Sequence, residues 1–116
     1  MGDYQQLEVW QLSHQLVLDV YRVTKKFPKE EEYTLKSQLL RSVISVPNNI
    51  AEGKGRQSPN ELRQFLYISR GSLQETEYLL FLSTDLGYIK TEDFNRLKES
   101  IDSIGKMLNR FIQTIQ

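Results

Sequence analysis

"SVPNNIAEGKGRQSPNE", Ser45 to Glu61, decides the fold, because it ends one helix, opens the next and carries a proline inside the first. Apolar residues before that proline (Leu39, Leu40, Val43, Ile44) and after it (Ile50, Ala51) keep one helical period, so Pro47 interrupts a helix rather than ending it. Proline in a helix interior costs about 3 kcal/mol, since it lacks the N–H donor and crowds the carbonyl four residues back, here that of Val43. A bend is expected, and Ser45, Asn48 and Asn49 are placed to recapture loosened backbone groups. The pattern fits a packing kink patched with polar side chains; it also fits a binding notch. Glu52 is followed by Gly53, which suits the left-handed position that closes a helix. "GKGRQ" leaves room only for a tight reversal. "SPNE" then reads as a helix start, with Ser58 as N-cap, Pro59 at the first helical position and Glu61 completing a capping box.

Working outward, a first helix is expected from about Gln5 to Lys26, with Leu7, Trp10, His14, Val17, Tyr21 and Thr24 at three-four spacing. It ends near Phe27-Pro28, before a polar loop over Lys29 to Glu32. Helix two follows Thr34 as N-cap and runs to Glu52. Helix three runs from Ser58 to about Leu86 and stops at Gly87. Helix four starts at Thr91, with Glu92 and Asp93 near its positive end, and repeats Phe94, Leu97, Ile101, Ile104, Leu108, Phe111 and Ile115. No segment alternates with period two, so the class is all-α. Short loops make sequential helices antiparallel neighbours, which gives an up-down-up-down four-helix bundle, kinked in helix two at Pro47, as a single domain over residues 1–116. Folding helices two and three about "GKGRQ" sets Pro47 beside Gln64 and Phe65. It also sets Leu39 and Leu40 against the small residues Ser69, Gly71 and Ser72.

Composition narrows the function classes. Fifteen basic and fifteen acidic side chains cancel, so no global field attracts nucleic acid or an anionic membrane. Thr34 to Gln74 is the exception, with Lys36, Arg41, Lys54, Arg56, Arg63 and Arg70 against only Glu52 and Glu61. Both flanks are net acidic. The absence of cysteine removes disulfides, thiolate zinc sites and thiol chemistry, and no apolar run approaches a membrane span; a soluble, cytoplasmic protein without a signal peptide is expected. His14 is the only histidine, and its place on the apolar stripe predicts a hydrogen-bonded, partly buried side chain. One histidine cannot build a di-iron centre, which needs two Glu-x-x-His elements. "GKGR" lacks the spacing and the preceding strand of a phosphate loop. No catalytic residue, metal ligand or cofactor is expected.

Two faces stand out as interaction surfaces. Apolar residues of helix one form two stripes, Leu7, Trp10, Val17, Tyr21 and Val9, Leu12, Leu16, Val20, Val23, Phe27, spanning roughly 220° of the wheel. That exceeds what one corner of a bundle buries and points to a second subunit. On helix three Leu62, Phe65, Leu66, Leu73, Leu79, Leu80 and Leu86 form the core side. Its outer face carries Arg63, Tyr67, Arg70, Gln74, Tyr78 and Phe81, a composition shared by protein interfaces and single-strand binders. The candidate oligomer contacts are Trp10, Leu16, Val20, Tyr78 and Phe81. The candidate nucleic-acid or partner contacts are Arg41, Lys54, Arg56, Arg63, Tyr67 and Arg70. On helix two, Arg41, Ser45, Asn48 and Glu52 are expected on one polar face.

Arg41 to Leu80 resembles the family of 23S ribosomal RNA intervening-sequence proteins, which is itself similar to the accessory variability proteins of diversity-generating retroelements. The resemblance rests on the "S-I-P-x-N-I-A-E-G" signature, here Ser45-Val46-Pro47-Asn48-Asn49-Ile50-Ala51-Glu52-Gly53, and on "GR.S..E...FL.I..GS..E" from Gly55 to Glu75. Only Val46 departs, from isoleucine. The resemblance implies a four-helix bundle without catalytic activity that assembles as a ring, commonly a homopentamer. Through the retroelement relatives it implies binding to nucleic acid and to a reverse transcriptase. The expected function is therefore a non-enzymatic, ring-forming binding or scaffold protein whose first partner is itself. The alternative is an accessory protein that binds RNA or DNA.

Overall fold

The computed structural model describes residues 3–115. Among the described residues there are four α-helices: α1 (Glu8–Thr24), α2 (Leu35–Lys54), α3 (Pro59–Asp85) and α4 (Thr91–Thr114). Each packs on two others, α1 and α3 both contacting α2 and α4, so the helices sit at the corners of a square in chain order. The long dimension, 44 Å, is close to the roughly 40 Å expected of a 27-residue helix such as α3. Inside lie Leu16 and Val20 of α1, Leu39, Val43, Val46 and Ile50 of α2, Leu66, Leu73 and Leu80 of α3, and Leu97, Ile101, Ile104 and Leu108 of α4. Burying each such side chain stabilises the fold by about 1.5–3 kcal/mol.

α2 and α3 form the closest pair, and small polar residues make that possible. Ser69 Oγ donates to the Val46 carbonyl (2.8 Å), the hydroxyls of Ser45 and Ser72 meet at 2.7 Å, and Thr76 shares its proton between Ser42 Oγ (2.9 Å) and the Ser72 carbonyl (2.8 Å). Every buried side-chain polar atom among the described residues has a hydrogen-bond partner. The register differs from the sequence expectation: Ser42, Ser45 and Val46, rather than Leu39 and Leu40, lie opposite the small residues of α3. The reason is the later reversal. α2 continues past Glu52 to Lys54 before Gly55 turns back on the carbonyls of Ala51 and Glu52.

Gly53 accordingly has another role than the expected left-handed cap. It is helical and buried, and a Cβ there would stand 2.9 Å from Phe65 Cβ and 3.1 Å from Leu62 Cδ1. The left-handed glycine is Gly87, at φ 84°, where the amides of Gly87 and Tyr88 close α3 on the carbonyls of Thr84 and Ser83. Ser58 caps α3 as expected, accepting from the Glu61 amide at 3.4 Å. Thr34 does not cap α2: its hydroxyl donates to Glu31 Oε1 (2.7 Å), and that same oxygen receives the Leu35 amide. α1 starts at Glu8 rather than Gln5, because Leu7 is extended behind a 3-10 turn at Asp3–Gln6 and brings Tyr4 edge-on to Trp10. α2 keeps its helical course through Pro47. Asn49 Nδ2 donates to the Ser45 carbonyl (2.8 Å), two residues past Val43, so this polar contact falls on a carbonyl other than the one Pro47 leaves without its amide.

The two far loops are tied together by Tyr88, which donates to Glu31 Oε2 at 3.0 Å and packs on Phe27. The Thr34 hydroxyl first, and Tyr88 second, hold the Glu31 carboxyl below its ordinary 4.5, while the same bond to Glu31 raises the Tyr88 phenol above 10.0. A depressed carboxyl contributes stability that is full above its unfolded pKa and is lost as pH falls through the folded value. A raised phenol contributes below its unfolded pKa and loses that contribution as pH rises through its folded value.

Gly53→Ala is expected to destabilise the protein by about 1–3 kcal/mol through overpacking, against the helix propensity that favours alanine. Gly71→Ala, where a Cβ meets nothing within 4 Å, is expected to raise stability by about 0.5–1 kcal/mol. Urea unfolding of both decides the pair, and equal signs contradict the account. Tyr88→Phe is expected to lower the urea midpoint at pH 7, with the difference from the parent closing as pH falls below 4.5. A difference that stays constant across that range excludes the Glu31 tie.

Candidate interaction surfaces

The basic residues expected to act together divide into groups. Lys54 and Arg56 are exposed at the α2–α3 turn, where the Arg56 guanidinium lies 4.9 Å from the centre of the Phe65 ring and 3.8 Å from Glu52. Arg63 reaches α4: it donates to the Ile115 carbonyl at 3.3 Å and to Asn60 Oδ1 at 2.8 Å. Arg70 donates to Asn109 Oδ1 (3.0 Å) and covers the exposed Tyr67 ring at 5.0 Å. These five side chains thus run from one bundle end along α3. Arg41 is exposed but lies more than three turns up α2 from Lys54, about 20 Å along the axis, and does not join them. Of the expected polar face on α2, Arg41, Asn48 and Glu52 are exposed, whereas Ser45 turns into the contact with α3.

Two apolar grooves flank the bundle. The first, about 250 Å³, lies between α1 and α2 and is walled by Tyr4, Trp10, Val17, Ile44, Pro47 and Ala51. Its rim is an aromatic stack: His14 lies parallel to Trp10 with ring centres 5.0 Å apart, and Tyr4 meets Trp10 edge-on at 5.0 Å. His14 is exposed, not the partly buried, hydrogen-bonded side chain the stripe suggested, because Trp10 takes the inner position and leaves the imidazole its outer face. The second groove, also about 250 Å³, lies between α3 and α4 along Gln74, Glu77, Tyr78, Phe81 and Phe94. Phe81 meets Phe94 at 6.1 Å in an edge-on contact, and Lys98 bridges Glu77 (3.7 Å) and Asp102 (2.7 Å) beside it.

Of the expected oligomer contacts, Tyr78 and Phe81 are about half exposed, at 59% and 51%, and Trp10 is half-buried at its groove. Leu16 and Val20 are corrected: both are fully buried in the core of their own chain and present nothing to a second copy. The second stripe of helix one is the core stripe, and the surface surplus comes from Trp10, Leu18 and Tyr21. Leu86, expected in the core, is exposed because α3 ends beneath it. Tyr4 and Phe94 are groove residues the sequence reading did not single out. Tyr4 precedes any periodic segment, and Phe94 reads as ordinary seam until the bundle places it beside Phe81.

Among the described residues no group of three or more His, Cys, Asp or Glu side chains is placed to hold a metal, and no helix is long and apolar enough to cross a membrane. The arrangement is that of an all-helical bundle with two apolar grooves and a basic end. Residues 5–110 match the family described as 23S rRNA-intervening sequence protein, and the chain belongs to that family. A crystal structure from Bacteroides thetaiotaomicron VPI-5482, described as a protein with unknown function from the S23 ribosomal protein family, is similar with a TM-score of 0.84 and 27% identity, over 91% of this chain and 96% of that one. No curated protein matches.

Pro47 floors the first groove, and its substitution separates packing from helix geometry. Pro47→Ala restores the amide donor for Val43, a gain of about 3 kcal/mol in helix propensity, and removes two ring methylenes worth about 0.8 kcal/mol each. The variant is expected to unfold at the same or higher urea concentration, while Trp10 emission moves to longer wavelength as the groove opens. A drop in stability greater than about 2 kcal/mol would overturn this account of Pro47.

Proposed function

We propose that the protein is a non-enzymatic scaffold that closes into a ring of identical subunits, five as the family resemblance implies, and works in the cytoplasm. The observation that supports it is the pair of unlike apolar grooves on opposite edges of one bundle. α1–α2 carries one and α3–α4 the other, and these edges are opposite because the helices follow a square in chain order. A closed ring needs a head-to-tail contact between two different patches, whereas a two-fold dimer uses one patch against itself. Tyr78 and Phe81 of one subunit supply the projecting side, and the Trp10–Pro47 groove of the next supplies the receiving side.

A nucleic-acid role has a narrower footing. Lys54, Arg56 and the Tyr67–Arg70 pair offer charge and a stacking ring, but Arg63 and Arg70 already spend hydrogen bonds on α4. In a ring this patch is repeated once per subunit, which multiplies weak phosphate contacts on a strand of RNA or DNA long enough to span them. A reverse transcriptase partner would engage the same ring.

Light scattering at micromolar concentration is expected to give the mass of five 13.6 kDa chains. Phe81→Glu and Ile44→Glu, each at an exposed groove residue, are expected to give single chains of unchanged helicity. Mixing the two variants should restore a two-chain species, since each keeps the face the other lacks. A parent mass of one or two chains contradicts the ring, and failure of the mixture to pair contradicts the head-to-tail contact.

A further inference from the structure

A cavity of about 590 Å³ lies at the bundle end away from Lys54 and Arg56, where the last turns of α1 meet the loop after α3 and the start of α4. Four cationic side chains line it, Arg22 from α1, Lys26 from the turn after it, and Lys90 and Arg96 from the α4 side, against the carboxylates of Asp19 and Asp93. The cleft is therefore net positive by two charges. Both carboxylates serve as braces: Asp19 holds Arg22 Nη1 at 2.7 Å and Asp93 holds Arg96 Nη1 at 3.0 Å. Each of these contacts uses one nitrogen of a five-donor fork, so other N–H donors of both arginines remain for a ligand. Lys26 and Lys90 make no ion pair among the described residues. Val23, Ile89 and the Tyr88 ring provide an apolar wall, and Tyr88 is fixed in place by its bond to Glu31 (3.0 Å) and its contact with Phe27.

This constellation is invisible in charge patterning along the chain, because its cations come from the two flanks that are each net acidic. Folding joins Arg22 and Lys26 to Lys90 and Arg96, while the Glu31 carboxylate is held on the Tyr88 hydroxyl at the edge of the wall. We propose that the cleft binds a phosphate monoester of nucleotide size, with the phosphate between the two arginine forks and the lysines, and the base or sugar on the Val23–Ile89–Tyr88 wall. Three properties support the choice. The volume falls in the usual range for small-ligand sites, about 300–1,000 Å³. A phosphate monoester carries a charge of about −1.5 to −2 at pH 7, which matches the excess in the cleft. Braced arginine forks favour the planar, paired donation that phosphate oxygens accept. The phosphate can come from a free mononucleotide or from the 5′ end of an RNA chain, and the proposal does not depend on ring formation.

The test is isothermal titration of the full chain, at low salt, with AMP, GMP, CMP and UMP, with adenosine, and with a short oligoribonucleotide bearing either a 5′-phosphate or a 5′-hydroxyl. Saturable binding that weakens at least tenfold when the phosphate is absent is expected. Binding of the mononucleotides identifies a free nucleotide as the source, and binding of the 5′-phosphorylated oligomer alone identifies an RNA terminus. Arg22→Gln with Arg96→Gln, and separately Lys26→Gln with Lys90→Gln, are expected to weaken that binding at least tenfold with unchanged thermal unfolding. Lys54→Gln with Arg56→Gln should leave it unchanged. No saturable binding of any phosphate-bearing probe, equal binding of adenosine and AMP, or binding untouched by both cleft variants overturns the proposal.

Discussion

Everything else in this bundle depends on how closely α2 and α3 approach. Two helices come within van der Waals reach of each other's backbones only where the facing residues are small. Here Ser42 and Ser45 on α2 meet Thr76 and Ser72 on α3, Ser69 bonds to the Val46 carbonyl, and Gly53 lies against Phe65, whose Cβ would stand 2.9 Å from any added Cβ. Serine contributes more than small volume. Each hydroxyl fills a gap and also finds a carbonyl or another hydroxyl, so the close approach leaves no buried polar atom unpaired among the described residues. The remaining helices then follow, because α1 and α4 lay their apolar stripes across the paired surface and complete a square.

Pro47 belongs to the same contact. Its neighbours Ser45, Val46 and Asn49 all engage either α3 or the helix's own backbone, while its ring faces away, toward Trp10 and Val17. One residue therefore sits between the tight seam and the looser α1–α2 groove. The stretch on which the resemblance rests, Ser45 to Gly53, is the sequence of this junction. Its serine, asparagine and glycine set the approach, and its proline shapes the groove behind it.

The sequence shows the class, the helix count and most of the core, because periodicity in α4 and the "SPNE" start are local features that no tertiary contact overrides. It misleads where the deciding neighbour lies on another helix. Gly53 looks like a cap because glycine after a helix usually is one, and only Phe65 across the turn reveals a contact glycine. Leu16 and Val20 look like surplus apolar surface until α2 and α4 cover them. Arg63 and Arg70 read as free cations, since Ile115 and Asn109, their acceptors, are some forty to fifty positions away in the chain. The cleft at the far end escapes notice for the same reason, its four cations being split between two acidic segments.

If the α2–α3 seam governs the fold, it is the last part of the molecule to open. Native-state hydrogen exchange measures this residue by residue. The account predicts that the amides of Val43, Val46, Ile50, Leu66, Ser69 and Leu73 exchange only through global unfolding, with protection that matches the full unfolding free energy, while amides of α1 and α4 exchange through smaller openings. Slowest exchange in α1 and α4, with the α2–α3 amides released first, would contradict it.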